Sequence, residues 1–139
     1  MQRDPLAEAA LRTFMRMQLL ARRKNDEGAL TIDQANAKLR PWAAIALESG
    51  AMPRELAHQG HYAADIASRS EWVPVLAAAR DRALDAHYAE PTPEREEHGR
   101  DLMQICQALA WDRNGRHPIP PYSPSALATG RMRNLSEAA

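Results

Sequence analysis

Cysteine, aromatic residues and long apolar runs are the scarcest features of this sequence. The single cysteine, Cys106, excludes an internal disulfide, and its apolar neighbours predict a buried, unreactive thiol. Aromatic residues are only 5% of the 139 residues, so leucine, isoleucine, methionine and many alanines must form the core. No apolar run approaches the length of a transmembrane helix, and no signal-peptide core is found, so we expect a cytoplasmic protein with no membrane partner.

The chain also lacks the motifs that carry common enzyme chemistry. Its six glycines are isolated, which excludes a glycine-rich phosphate loop, and no serine or cysteine nucleophile lies beside a base in a recognisable motif. Valine and isoleucine are scarce and form no alternating run, which argues against a sheet. We therefore expect no enzymatic activity, no cofactor, and a fold of helix packed on helix.

Four long helices have recognisable starts. Each start carries a capping residue, namely Asp4, Thr31, Ser70 and Thr92. The apolar periodicity that follows each cap predicts an all-α fold. We expect a compact bundle with short linking helices and four main helices, at about 5–25, 32–49, 71–88 and 93–112.

Prolines and a late glycine refine three of these helices. Pro41 either kinks the second helix or starts a new one, and we favour a kink because the apolar stripe stays in phase across it. Pro74 is expected in the first turn of the third helix, where a missing N–H is tolerated. Asn114 and Gly115 are expected to end the fourth helix.

Proline also marks the C-terminal segment. The stretch 117–124 contains Pro118, Pro120, Pro121 and Pro124, which favour extended polyproline geometry. We divide the chain into a helical bundle, 1–115, and a proline-rich arm, 116–139. The arm packs either on its own bundle or on a partner subunit.

Charge is balanced overall but segregated along the chain. The formal net charge is zero, which argues against a general nucleic-acid binder. Residues 1–24 carry six basic against two acidic side chains, residues 25–111 eight against fourteen, and residues 112–139 four against two. Either the basic ends pack on the acidic middle, or they form a surface for an anionic partner. For the second case we predict these partner-binding residues: Arg16, Arg22, Arg23, Lys24, Ile119, Tyr122, Arg131 and Arg133.

Histidines with a nearby glutamate offer the first candidate metal ligands. Glu55 and His58 form a Glu-x-x-His pattern, followed by His61, which in di-iron bundles places ligands on one helix face. A di-iron site needs a second such motif, and Glu94 with His98 has the wrong spacing, so a surface loop is the better interpretation. His87 and His98 flank a proline break, where we expect helix-end capping or a pH-sensitive contact.

The sequence of residues 56–67 superficially resembles the first half of a DNA-binding helix-turn-helix motif. A recognition helix with exposed polar residues should follow. The next segment is instead apolar, with Trp72, Val73 and Leu76, and needs burial. We therefore do not expect DNA recognition through this segment.

The first two helices carry a resemblance to a known class of protein. Arg22-Arg23-Lys24, the turn 27–31, Ala35 and Leu39 resemble the helical hairpins of small accessory proteins of phages and prophages. The resemblance covers about residues 6–50. It implies a non-enzymatic protein-binding module, such as an inhibitor of a host complex.

Two other functions stay open beside this one. The first is a nucleic-acid-associated regulator that uses the basic first helix and the arm, and the second is a helical metalloenzyme. We also expect self-association, because the first helix is apolar on more than one side.

Overall fold

The computed structural model describes residues 4–56, 67–110, 116–122 and 124, and within these ranges the chain is all-α. Its helices are α1 (Pro5–Asp26), α2 (Ile32–Glu48), α3 (Arg69–Ala89) and α4 (Pro93–Ala108). Residues 53–56 add one short 3-10 turn. The predicted bundle of four helices is confirmed. None of the described helices is both long and apolar enough to cross a membrane.

The four helices form a ring in which each packs on two neighbours. α1 contacts α2 and α4, and α3 contacts the same two helices from the other side. A Cβ atom at Gly50, just after α2, would lie 3.7 Å from Cβ of Ala7 near the start of α1, so these helices run antiparallel. Arg12, in the first half of α1, meets Asp101 at the middle of α4, and Arg23 near the end of α1 lines one groove with Glu94 at the start of α4, so that pair is antiparallel too.

The core rests on a few large side chains set among alanines. Leu76, Leu102 and Ile105 are completely buried, and Phe14 and Ile45 are 1% exposed. Each such side chain stabilises the fold by about 1.5–3 kcal/mol. Alanines on α1, α2 and α3 fill the remaining core positions and let the helices approach closely.

Local signals place the starts of three helices. Asp4 accepts the N–H of Leu6 at 3.0 Å, and Thr92 accepts the N–H of Arg95 at 3.1 Å. Thr31 and Gln34 form the predicted capping box at the start of α2. α2 then continues through Pro41, so the alternative of a new helix at that proline is wrong.

The third and fourth helices differ from prediction at their ends. α3 begins at Arg69, with Ser68 rather than Ser70 as its N-cap, so Pro74 lies in the second turn. α4 ends at Ala108, earlier than the predicted 112. One side chain links both differences, because the guanidinium of Arg69 donates to the carbonyl oxygen of Leu109 at 2.7 Å and lies 5.0 Å from the ring of Trp72.

The described part of the arm lies against the bundle. Arg69 Nε donates to the carbonyl oxygen of His117 at 3.1 Å, and Ile119 packs against the core. Farther along, the hydroxyl of Tyr122 donates to Asp85 at 2.7 Å, and its ring meets that of Tyr88. Residues 116–122 therefore follow α3 from its first turn toward its last.

The Arg12–Asp101 ion pair predicts unequal costs for its two members. Arg12→Ala leaves a carboxylate that is 7% exposed without a cation, which should cost about 3–5 kcal/mol. Asp101→Asn leaves a guanidinium that is 48% exposed and open to water, which should cost about 1–2 kcal/mol. Urea unfolding measures both, with exposed Arg22→Ala as the control. An equal or larger loss for Asp101→Asn would contradict this account.

The Tyr122 hydroxyl should hold the arm on α3. Tyr122→Phe removes one hydrogen bond to Asp85 and should lower the free energy of unfolding by about 1 kcal/mol. Tyr88→Phe is the matched control, since its ring also lies in the tyrosine pair but is 66% exposed. Chemical denaturation of both variants tests the contact, and equal effects would argue against it.

Candidate partner-binding surface

The second half of α1 exposes three large apolar side chains. Met15 is 58% exposed, Leu19 61% and Leu20 42%, although Leu11, one turn earlier, is buried. Met15 and Leu19 are four residues apart and lie on the same side of the helix, whereas Leu20 lies farther round toward another side. The apolar surface of α1, which the sequence places on more than one side of the helix, therefore extends beyond the core, and its later residues are exposed to solvent.

A groove lies between this part of α1 and the beginning of α4. Its volume is about 750 Å³, and Glu94 and Glu97 of α4 form the opposite wall. The full lining is Arg12, Met15, Arg16, Leu19, Leu20, Arg23, Glu94 and Glu97. The groove thus has an apolar strip, a basic wall and an acidic wall.

Basic side chains surround the apolar strip. Residues 15–24 contain Arg16, Arg22, Arg23 and Lys24 and no acidic residue. All four are exposed, and none has an ion-pair or hydrogen-bond partner among the described residues. Four unpaired cations within three helical turns repel one another, and an anionic partner would relieve that repulsion.

The Arg12–Asp101 ion pair lies at the end of the groove that is nearest the first half of α1. Nε and Nη2 of Arg12 donate to the two carboxylate oxygens of Asp101 at 3.0 and 2.8 Å, and Glu97 lies 3.9 Å from Nε. The hydrogen bond to Asp101 raises the pKa of Arg12. Arg12 is therefore paired within the chain. Arg16 and Arg23 also line the groove, and they have no such carboxylate partner among the described residues.

His98 lies behind the groove, where α4 meets α1. Its Nδ1 is buried and has no hydrogen-bond partner among the described residues, and the same is true of Nδ1 of His87. Burial, aided by the charge of Arg16, lowers the pKa of His98 from 6.5 to about 4. No helix-end capping by His87 or His98 occurs among the described residues, and burial together with the charge of Arg16 favours the neutral form of His98.

The predicted partner-binding residues do not all meet on one surface. Arg16, Arg22, Arg23 and Lys24 share α1, whereas Ile119 and Tyr122 lie on the α3 side in contacts within the chain. Arg131 and Arg133 lie outside the described residues. Sequence reasoning did not place Glu94 and Glu97 on this surface, and it considered Glu94 as a candidate metal ligand, because no local pattern shows which helix lies opposite.

The described residues give no support for a metal site or for a reactive thiol. No group of three or more possible metal ligands occurs among the described residues. His58 and His61 lie outside them, and Glu55 accepts the N–H of Met52 at 3.0 Å, so the metal site stays a hypothesis. Cys106 is 5% exposed, and burial raises the pKa of its thiol, which disfavours the reactive thiolate.

Comparison of the chain with family models, with curated proteins and with solved structures found no match. The groove and its charges are therefore the features from which a function can be inferred.

The lowered pKa of His98 predicts that the folded chain loses stability in acid. Because the folded state disfavours its protonation, the unfolded chain binds more protons between pH 6.5 and 4. Stability should therefore fall as pH falls through this window, with a slope of up to about 1.4 kcal/mol per pH unit from this one group. His98→Gln should remove that contribution in unfolding measured from pH 7 to 4, whereas exposed His117→Gln should keep it.

Direct titration gives a second measurement of the same effect. The NMR signal of His98 should titrate near pH 4, and Arg16→Ala should move the midpoint upward because the neighbouring positive charge is removed. A midpoint near 6.5 in the unchanged chain would contradict the assignment.

Proposed function

We propose that this chain is a non-enzymatic protein-binding accessory module that docks on an acidic protein surface through the second half of α1. The observation that carries the proposal is the exposed pair Met15 and Leu19, set among four cations that have no partner within the described residues. Burying these apolar side chains would stabilise a complex, and the cations would select an acidic partner and speed its encounter.

The apolar strip favours a protein partner over a nucleic acid. Phosphate contacts need cations and polar donors and have no use for exposed leucine and methionine at their centre. The acidic wall formed by Glu94 and Glu97 would also repel a phosphate backbone, whereas a protein partner can place basic side chains opposite that wall and acidic ones opposite α1. Both features support a partner that offers apolar and charged groups together.

The hairpin resemblance supports the same class of function. Residues 6–50, which resemble phage and prophage accessory proteins, contain the whole basic face of α1. A small module of this kind acts by covering a surface on a larger complex, so we propose inhibition or modulation of a host complex as its biological role. Neither catalysis nor a cofactor is part of this proposal.

Loss of capture on substitution of Leu19 tests the function. The immobilised full-length chain should retain a protein from a lysate of the cells that encode it, and Leu19→Asp should abolish retention by placing a charge in the apolar strip. Ile32→Asp is the matched control, because Ile32 is also 61% exposed but lies on α2. Both variants should unfold within about 0.5 kcal/mol of the unchanged chain.

Two results would contradict the proposal. One is capture that Leu19→Asp and Ile32→Asp affect equally. The other is binding to duplex DNA at low salt that weakens in Arg22→Ala and Arg23→Ala but not in Leu19→Asp, which would support the nucleic-acid regulator instead.

A further inference from the structure

We propose that the groove between α1 and α4 receives an amphipathic helix of the partner, with one acidic flank against α1 and one basic flank against α4. This inference rests on the proposed function and specifies the shape and charge of the partner segment.

The shape of the groove favours a helix. Two of its apolar side chains, Met15 and Leu19, lie one turn apart along α1, so they match the apolar stripe of a helix that runs beside it. An extended peptide gains affinity by pairing with a free sheet edge, and the described residues contain no strand. A fifth helix laid on two antiparallel helices uses the packing that already builds the bundle.

The two walls of the groove carry opposite charge. On the α1 wall Arg16 and Arg23 are exposed, while Arg12 is engaged by Asp101. On the α4 wall Glu94 and Glu97 are exposed. A helix with carboxylates on one flank and amines on the other would therefore face opposite charge on both sides.

Charge also argues against a second copy of this chain as the occupant. Two α1 faces brought together would place the four cations of residues 16–24 of each chain in one interface, where they outnumber the two groove carboxylates, Glu94 and Glu97, that each chain brings. Like charges in such an interface cost affinity. The partner helix is therefore a different sequence with an acidic flank.

Synthetic peptides test the proposal directly. The first probe is a helix of about 18 residues, long enough to be partly helical in isolation, with leucines on one face, glutamates on one flank and lysines on the other. The second probe has the same leucines and lysines on both flanks. Fluorescence anisotropy with the full-length chain should show the first peptide binding at least about tenfold more tightly, which corresponds to about 1.4 kcal/mol.

A charge reversal in the groove should exchange the preference. In the double variant Arg16→Glu with Arg23→Glu both walls are acidic, so the all-lysine peptide should now bind more tightly. Leu19→Asp should weaken both peptides, and Ile32→Asp should leave both unchanged. Circular dichroism of each variant checks that the bundle remains folded.

Several outcomes would overturn the proposal. Equal binding of the two peptides, or no binding of either, would exclude a charge-matched helix. Tighter peptide binding by about tenfold after Leu127→Asp with Met132→Asp would show that the chain's own C-terminal segment occupies the groove. A dimer in sedimentation that Leu19→Asp dissociates would show that a second copy does.

The two proposals can fail separately. If the peptides do not discriminate but Leu19-dependent capture of a protein persists, the helix is wrong and the protein-binding function stands. If the peptides do not discriminate and Leu19-dependent capture is also absent, the proposed protein-binding function is wrong as well.

Discussion

The ion pair between Arg12 and Asp101 is the contact on which the arrangement of α1 and α4 depends. The side chain of Asp101 is 7% exposed, and a carboxylate so buried must be paired and hydrogen-bonded to be tolerated. Both its oxygens accept from Arg12, so the last helix is held at one register against the first. That register places Glu94 and Glu97 beside the later turns of α1 and so creates the groove.

In the same register, no other described helix packs over Met15 and Leu19 of α1. Leu11 is buried, whereas Met15 and Leu19 lie beyond the edge of the core and remain in water. Exposed apolar groups that are rimmed by charge are typical of surfaces that meet a partner. Neighbouring cations that no carboxylate offsets add electrostatic repulsion to the free molecule, so an acidic partner would relieve the apolar exposure and the repulsion at once.

A second long-range contact organises the opposite side of the ring. Arg69 joins the first turn of α3 to the carbonyl oxygens of Leu109 and His117, and the arm then follows α3 to Asp85. The same side chain thus lies at both helix ends that differ from the sequence-based prediction. It also directs Tyr122 away from α1, so residues 116–122 and the basic face lie on different sides of the bundle.

The sequence by itself determined the helices and most of their starts. Asp4, Thr31 and Thr92 act on N–H groups two or three residues away, and the apolar period is equally local, so both can be read without a fold. Tertiary structure decided the start of α3, the end of α4 and the make-up of the groove. Arg12 and Asp101 are 89 residues apart, and Arg69 and Leu109 are 40 apart. No local pattern specifies such pairs, because they exist only once packing has set the register between helices.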